Sequence, residues 1–482
     1  MDITLLSLFL HPMSLWAASL VYTLGFMILP PALGGDDVPQ EQAWEWALYA
    51  PDLGAAVDHV RRQPFGSLLP DDDEALLQEL VAKLLAGSGE GKDEGELPAL
   101  ASAAALGLGV DANGPWAAQR LQSGAELEGI RGQAPEGAGL TTKDGLLHMT
   151  MTLPRVAQGI DARGFSLPQA MLYHHQQESL QVVINPGELQ ISGVLPPAQL
   201  LAPLKRDALL AVPTDAIAVL SFALDGEVWL NNGGAGFLVQ LRQGIKNVIE
   251  RAQGYELDNN EVSPMDANVI AMGLGSSVDE VIAAIRGQVV LVQLPGPPTT
   301  FNPPMLMATL DEPTDTLLNK ILAGMHIEIP VGSATKLPMT PVGILSLARL
   351  DGGRWLLTSN QQRLDAWLQG ESGGWIEQAA IAEWVNPLLD QGALALAHWD
   401  GIFFQDYVSD AFSKLPMIPY LKPASQQFAE VAKQIKTQTW PASHMALIPS
   451  ATEWTCSING PMSDLFLAGI LTMVTPPNPP QP

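Results

Sequence analysis

The sequence predicts an α+β fold made of tandem, divergent repeats, each an antiparallel or mixed sheet with helices packed on one face, behind an N-terminal hydrophobic helix. Three observations predict it. Period-two apolar segments closed by Gly- and Pro-containing turns alternate with helical segments carrying apolar residues at i, i+3 and i+4. Two of the hairpins overlay at a constant offset. The first 35 residues contain almost no charge.

Residues Ile3 to Gly35 carry no formal charge, and Met13 to Leu29 is apolar enough to approach the length of a membrane span. Pro30-Pro31 then ends any helix, and Asp36-Asp37 begins an acidic region. Asp2 and the absence of basic residues before Arg61 depart from an ordinary signal peptide, and they leave the positive-inside rule nothing to act on. Segment 1–35 therefore reads as a membrane helix or export signal of undetermined orientation. A cleaved leader and a helix buried in the protein or against a partner stay open.

Trp44 to Ala50 reads as a strand, and Asp52 opens a short helix with Ala55, Ala56, Val57 and Val60. Asp71 to Glu74 places negative charge at the start of a helix whose Leu76, Leu77, Leu80, Val81, Leu84 and Leu85 share one face. Residues 87–97 form a flexible acidic loop, and the Gly/Ala-rich stretch 107–140 predicts no regular structure. Leu146 to Leu153 is a strand, with Pro154 opening a helix. Leu180 to Ile184 and Glu188 to Ile191 make a hairpin about Asn185-Pro186-Gly187, followed by a helix from Pro196.

The pattern recurs. Ala216 to Ala223 is a strand with an Asp225-Gly226 turn, and the helix after it carries Phe237, Leu241, Ile245, Val248 and Ile249 on one face. Ser277 to Glu280 is a capping box before a helix and the strand Gln288 to Leu294. Met305 to Leu310 leads into a helix from Pro313 to Gly324. A second hairpin, Ile344–Leu350 and Arg354–Ser359, precedes a helix with Leu364, Trp367 and Leu368. Gly353 overlays Gly187 at 353 − 187 = 166 positions, which also aligns Leu350 with Ile184 and Trp355 with Leu189. Ala393 to Gly401 resembles Ala218 to Gly226 at 400 − 225 = 175 positions. With 482 residues the chain needs more than one core. The expected divisions are the leader at 1–35, a first repeat at 43–205, a second at 206–370, and a partial third unit at 371–482. That last unit contains an apolar core helix over Leu465 to Val474 and a Pro-rich tail.

This layout, with a hydrophobic N-terminus, divergent halves, the Val212-Pro213-Thr214-Asp215-Ala216 lead-in to a strand and the closing hairpin-helix of Gly343 to Leu368, resembles the bacterial DUF3352-type extracytoplasmic proteins. The resemblance spans about 43–370 and is clearest over 206–370. It implies a cell-envelope location and supplies no catalytic, cofactor-binding or metal residues.

Charge excludes one partner class. With 51 acidic and 24 basic residues, net −27, and no Lys/Arg cluster, the chain repels phosphate backbones, so nucleic acid is not expected. The lone Cys456 rules out an intramolecular disulfide, and its strand context predicts a buried structural thiol. Gly370-Glu371-Ser372-Gly373-Gly374 matches G-x-S-x-G, but it follows a helix where a nucleophile elbow follows a strand, so it reads as a cap and linker. Gly273 to Ser277 and Asn231 to Gly236 read as turns before helices, without the glycine and lysine spacing of phosphate loops. His174-His175 is the only adjacent histidine pair, and on a strand the two would point to opposite faces. The tryptophans, among them Trp44, Trp46, Trp355, Trp367, Trp375, Trp384 and Trp399, occupy periodic core positions. No catalytic residue, cofactor or metal ligand is nominated. The expected function is a non-enzymatic envelope scaffold or binding protein with an unknown protein or small-molecule partner. The alternatives are a hydrolase with its site in a cleft between the repeats and a binder of small apolar ligands.

Overall fold

A computed structural model describes residues 45–50, 53–68, 103–111, 114–121, 128–131, 147–152, 180–193, 201–227, 283–296, 304–324, 327–337, 345–371, 373–414, 425–450 and 454–473. The expectations for the leader 1–35, the helices after Asp71, Pro154, Pro196 and Ser277, and the Phe237–Ile249 helical face lie outside those residues. In chain order the first elements are β1 (Glu45–Ala50), α1 (Leu53–Arg61), β2 (Ala103–Asp111), β3 (Gly114–Leu121), β4 (Glu128–Arg131), β5 (Leu147–Thr152), β6 (Leu180–Asn185) and β7 (Glu188–Gly193). Then come β8 (Leu201–Ala202), β9 (Ala218–Asp225), β10 (Arg286–Gln293), β11 (Met305–Leu310), α2 (Glu312–Gly324), β12 (Ser333–Lys336), β13 (Ser346–Leu350), β14 (Arg354–Thr358) and α3 (Gln361–Leu368). The last stretch holds α4 (Ala379–Asp390), β15 (Ala395–Trp399), α5 (Gly401–Phe403), α6 (Ser409–Lys414), α7 (Ser425–Thr437), β16 (Ser443–Pro449), β17 (Trp454–Asn459) and α8 (Pro461–Met473). A π-helical turn, Phe404–Val408, joins α5 to α6.

Among the described residues, seventeen strands form one sheet, and every pairing in it is antiparallel. The neighbours run β4-β3-β2-β1-β5-β6-β7-β17-β16-β15-β9-β10-β11-β14-β13-β12, with β8 beside β15 on the same edge of β9. The α+β class holds. The expected unit boundaries do not divide this sheet, because β15, β16 and β17, from the closing segment, lie between β7 and β9.

The two overlaid hairpins occupy different places. β6-β7 joins the sheet through β5, which pairs with β6, whereas β13-β14 joins through β11, which pairs with β14. The aligned apolar residues record two half-buried hairpins, not one strand order. The offset of 175 fares differently. Ser221 of β9 pairs with Leu396 of β15, and 396 − 221 = 175, so these strands meet about a local two-fold at positions equivalent in sequence. Both then enter helical turns through Asp-Gly: Asp225 Oδ1 accepts from the Glu227 N–H at 3.1 Å, and Asp400 Oδ1 from the Phe403 N–H at 2.9 Å. Asp225-Gly226 is thus a helix entry.

Helices cover both faces, which corrects the one-face expectation. On one face, Val219, Val290, Val292, Met305, Met307, Ala348, Leu356 and Leu396 meet Leu364 and Trp367 of α3 and Ile381 and Val385 of α4. On the other, Ala308 and Trp355 meet Leu322 of α2 and Ile329. The physical reason is alternation. Met307 and Ala308 are adjacent on β11, and both are buried, so apolar residues follow one another without a polar interruption and both faces need cover. The second face also carries α1, α7 and α8, with Phe65 in contact with Trp440 at 6.0 Å between ring centroids.

The stretch 107–140 contains part of β2 and all of β3 and β4. Leu106, Leu108 and Val110 alternate with small residues, and β3 opens at Gly114. Low side-chain bulk hid a hairpin.

Candidate functional site

The most concentrated chemistry sits on the face beneath α4. His398 of β15 and His444 of β16 are direct cross-strand neighbours, in one row with Val219, Asn459 and Glu188 on the flanking strands. Their Nδ1 atoms are 3.2 Å apart, so one ring donates its N–H and the other accepts. Trp384 of α4 lies 4.3 Å from His444 between centroids, and Trp375, from the 3-10 turn Trp375–Glu377, meets His398 edge-on at 5.8 Å. Burial, and secondarily the charge of His444, lowers the pKa of His398 to about 4; burial also lowers that of His444.

Between the unfolded value of 6.5 and the folded value of about 4, the unfolded chain binds the extra proton, so stability rises with pH through that window. The contribution is whole above 6.5 and is lost as pH falls to about 4. The loss is expected to reach up to about 3 kcal/mol, at 1.36 kcal/mol per unit. Urea unfolding of the chain and of His398→Gln between pH 7 and 4 measures it; equal pH slopes would sink the assignment.

A second pair joins distant parts of the chain. His59 Nε2 of α1 is 2.7 Å from Asp464 Oδ1 near the start of α8, and the same oxygen accepts from the Gly187 N–H at 3.1 Å. Gly187 occupies the turn of the β6-β7 hairpin with φ +70°, and its carbonyl accepts from the Gly460 N–H at 2.8 Å. One buried carboxylate thereby ties a helix, a hairpin and a second helix. A third cluster lies at the β11-β14 end: Trp355 Nε1 donates to Asp315 Oδ1 at 2.7 Å, Arg349 bonds the other Asp315 oxygen, and the Arg349 guanidinium lies 5.4 Å from the Trp355 ring centre.

His174-His175, Gly273 to Ser277, Asn231 to Gly236 and Ser372 lie outside the described residues. The remainder of the G-x-S-x-G segment caps α3: the Gly370 N–H donates to Trp367 O at 3.0 Å and the Glu371 N–H to Ala366 O at 3.1 Å, with Gly370 at φ +74°. Trp355, Trp367, Trp375 and Trp399 are buried core residues. Cys456 is half-buried on β17 between Leu447 and Ile191, and desolvation pushes its thiol up to about 12. At pH 8 iodoacetamide is expected to alkylate Cys456 far more slowly in the native chain than in denaturant; equal rates would contradict the raised thiol pKa.

Sequence reasoning singled out none of His59, His398, His444 and Asp464. The local signal is slight, since His59 and Asp464 are 405 positions apart. Among the described residues, no three His, Cys, Asp or Glu side chains are grouped to hold a metal ion, and no helix is long and apolar enough to cross a membrane. Comparison with protein-family models, curated proteins and solved structures finds no match for this chain.

Proposed function

We propose that this chain is an envelope-associated, non-enzymatic scaffold or binding protein, held at the membrane through its N-terminal segment and built by duplication of a strand–helix–hairpin unit. One observation carries the reading. Glu188 and Gln190 of β7, Asn459 of β17 and Gln181 of β6 are exposed on one face, while Val182, Ile184, Leu189, Ile191 and Ile458 behind them are buried. This is a polar strip across three strands of a sheet anchored from its other side, suited to a macromolecular partner. The resemblance to DUF3352-type proteins supports the envelope location, and the pseudo-two-fold pairing of β9 with β15 supports the duplication. Fractionation of the full chain beside a version starting at Asp36 tests the anchor: the full chain is expected with membranes and the shorter one in the soluble fraction. Equal partition of the two would remove the membrane from the proposal.

A hydrolase is the second reading, favoured by the His59–Asp464 couple. A half-buried imidazole oriented by a carboxylate is a recurring general-base arrangement. On this reading Asp464→Asn lowers hydrolysis of p-nitrophenyl acetate at least tenfold. An unchanged rate leaves the couple as a structural clamp.

A further inference from the structure

We propose that the His398–His444 pair is an acid-sensitive latch that holds Trp375, Trp384 and α4 against the sheet and releases them on protonation. The geometry supplies the mechanism. With the Nδ1 atoms 3.2 Å apart, the contact has room for one proton. A second proton turns donor and acceptor into two donors facing each other, both positively charged, and the rings must separate. Backbone pairing of β15 with β9 and β16, and of β16 with β17, holds both strands, and Trp375 and Trp384 packed on the imidazoles leave the rings no free space to turn into. The cover is the movable part, since Trp384 rests on His444 and Trp375 on His398.

The cover also has hinges. Gly374 at φ +74° precedes the 3-10 turn and Gly392 at φ +75° follows α4, so segment 375–391 is bracketed by glycine turns, and its release also breaks the Trp375 N–H bond to Val212 O and the Pro213–Gly374 bridge. Among the described residues, no neighbouring carboxylate offsets the charge. Glu377 of the turn, Glu383 and Asp390 of α4, and Glu188 two strands from His444 are all exposed, and so are Arg206, Asp207 and Asp215 of the segment before β9. Arg206 bonds Asn386 and Asp215 bonds Arg363, so these charges are engaged elsewhere. Asp400, beyond the end of β15, is bound to the Phe403 N–H on the approach to the opposite helical layer. Burial and the other ring are what act on His398, and burial on His444, and both disfavour the charged state. Once the segment swings away both rings titrate in water, which caps the acid-dependent loss of stability.

Hydrogen–deuterium exchange on the full chain, corrected for the intrinsic pH dependence of amide exchange, tests the latch. Between pH 7 and 4, uptake in peptides spanning 375–391 is expected to rise at least fivefold, while uptake in β10 (Arg286–Gln293) stays within twofold. In His444→Gln, which cannot place two imidazolium charges together, the rise in 375–391 is expected to disappear. A uniform rise across β10 and 375–391, no rise in either, or an undiminished rise in His444→Gln would each overturn the latch. If His444→Gln fails to fold, the contrast between the two segments in the unsubstituted chain decides.

Discussion

Gly373→Ala is expected to destabilise the chain by about 4 kcal/mol, at the upper end of single-residue effects. A Cβ built at Gly373 comes within 1.9 Å of the Val212 carbonyl oxygen and 2.5 Å of that of Ala211, both backbone atoms that no rotamer change can move. The approach is close because this segment runs alongside the lead-in to β9. The Gly373 N–H donates to Leu210 O at 2.9 Å, the Trp375 N–H to Val212 O at 3.1 Å, and Pro213 bridges to Gly374. Backing away would break those bonds and withdraw Trp375, which is 1% exposed, from the core it fills. Gly370→Ala is the control. Its Cβ meets nothing within 4 Å, and only the left-handed backbone is strained, so about 1 kcal/mol is expected. Denaturation midpoints of the two variants measure the difference, and near-equal values would show that the β9 lead-in is not held in this way.

Trp355→Ala should cost a similar amount, about 4 kcal/mol, for a different reason. Trp355 is 2% exposed and forms the centre of the apolar cluster under α2, with Ala308, Leu322 and Ile329. Truncation leaves a large cavity and also removes the indole N–H that binds Asp315. Trp355→Phe separates the two contributions. It keeps most of the ring and loses the hydrogen bond, so about 1–2 kcal/mol is expected. If Trp355→Ala were as mild as Trp355→Phe, the second face of the sheet would not be a packed core, and the two-faced cover would be in error.

Local pattern was readable and sheet order was not. Met305 to Leu310, Asn185-Pro186-Gly187 and the helix of Leu364 and Trp367 were legible because each depends on neighbours within ten positions: alternation, a turn residue free to adopt positive φ, and one apolar stripe. The place of β17 beside β7 depends on register between residues such as Ile458 and Leu189, and nothing in either strand names the other. One-sided helices were the wrong inference from correct elements, since a run such as Met307-Ala308 supports packing on both faces. The candidate site was invisible for the same reason. His398 and His444 each look like an isolated histidine in an apolar strand, and only the pairing of β15 with β16 makes them a couple.

The position of β15, β16 and β17 between β7 and β9 also sets the order in which this molecule can assemble. During synthesis every strand through β14 leaves the ribosome before the partners that join β7 to β9 exist. Until Ala395 and the residues after it emerge, two hydrogen-bonding rims stand open, with Leu189 and Ile191 on one and Val219 and Leu220 on the other. Such rims are templates for wrong pairing, and closing them needs contacts between residues hundreds of positions apart, so maturation is slow and the nascent chain is exposed to aggregation for most of its translation. Prematurely terminated chains lacking the last three strands would be substrates for chaperones and proteases.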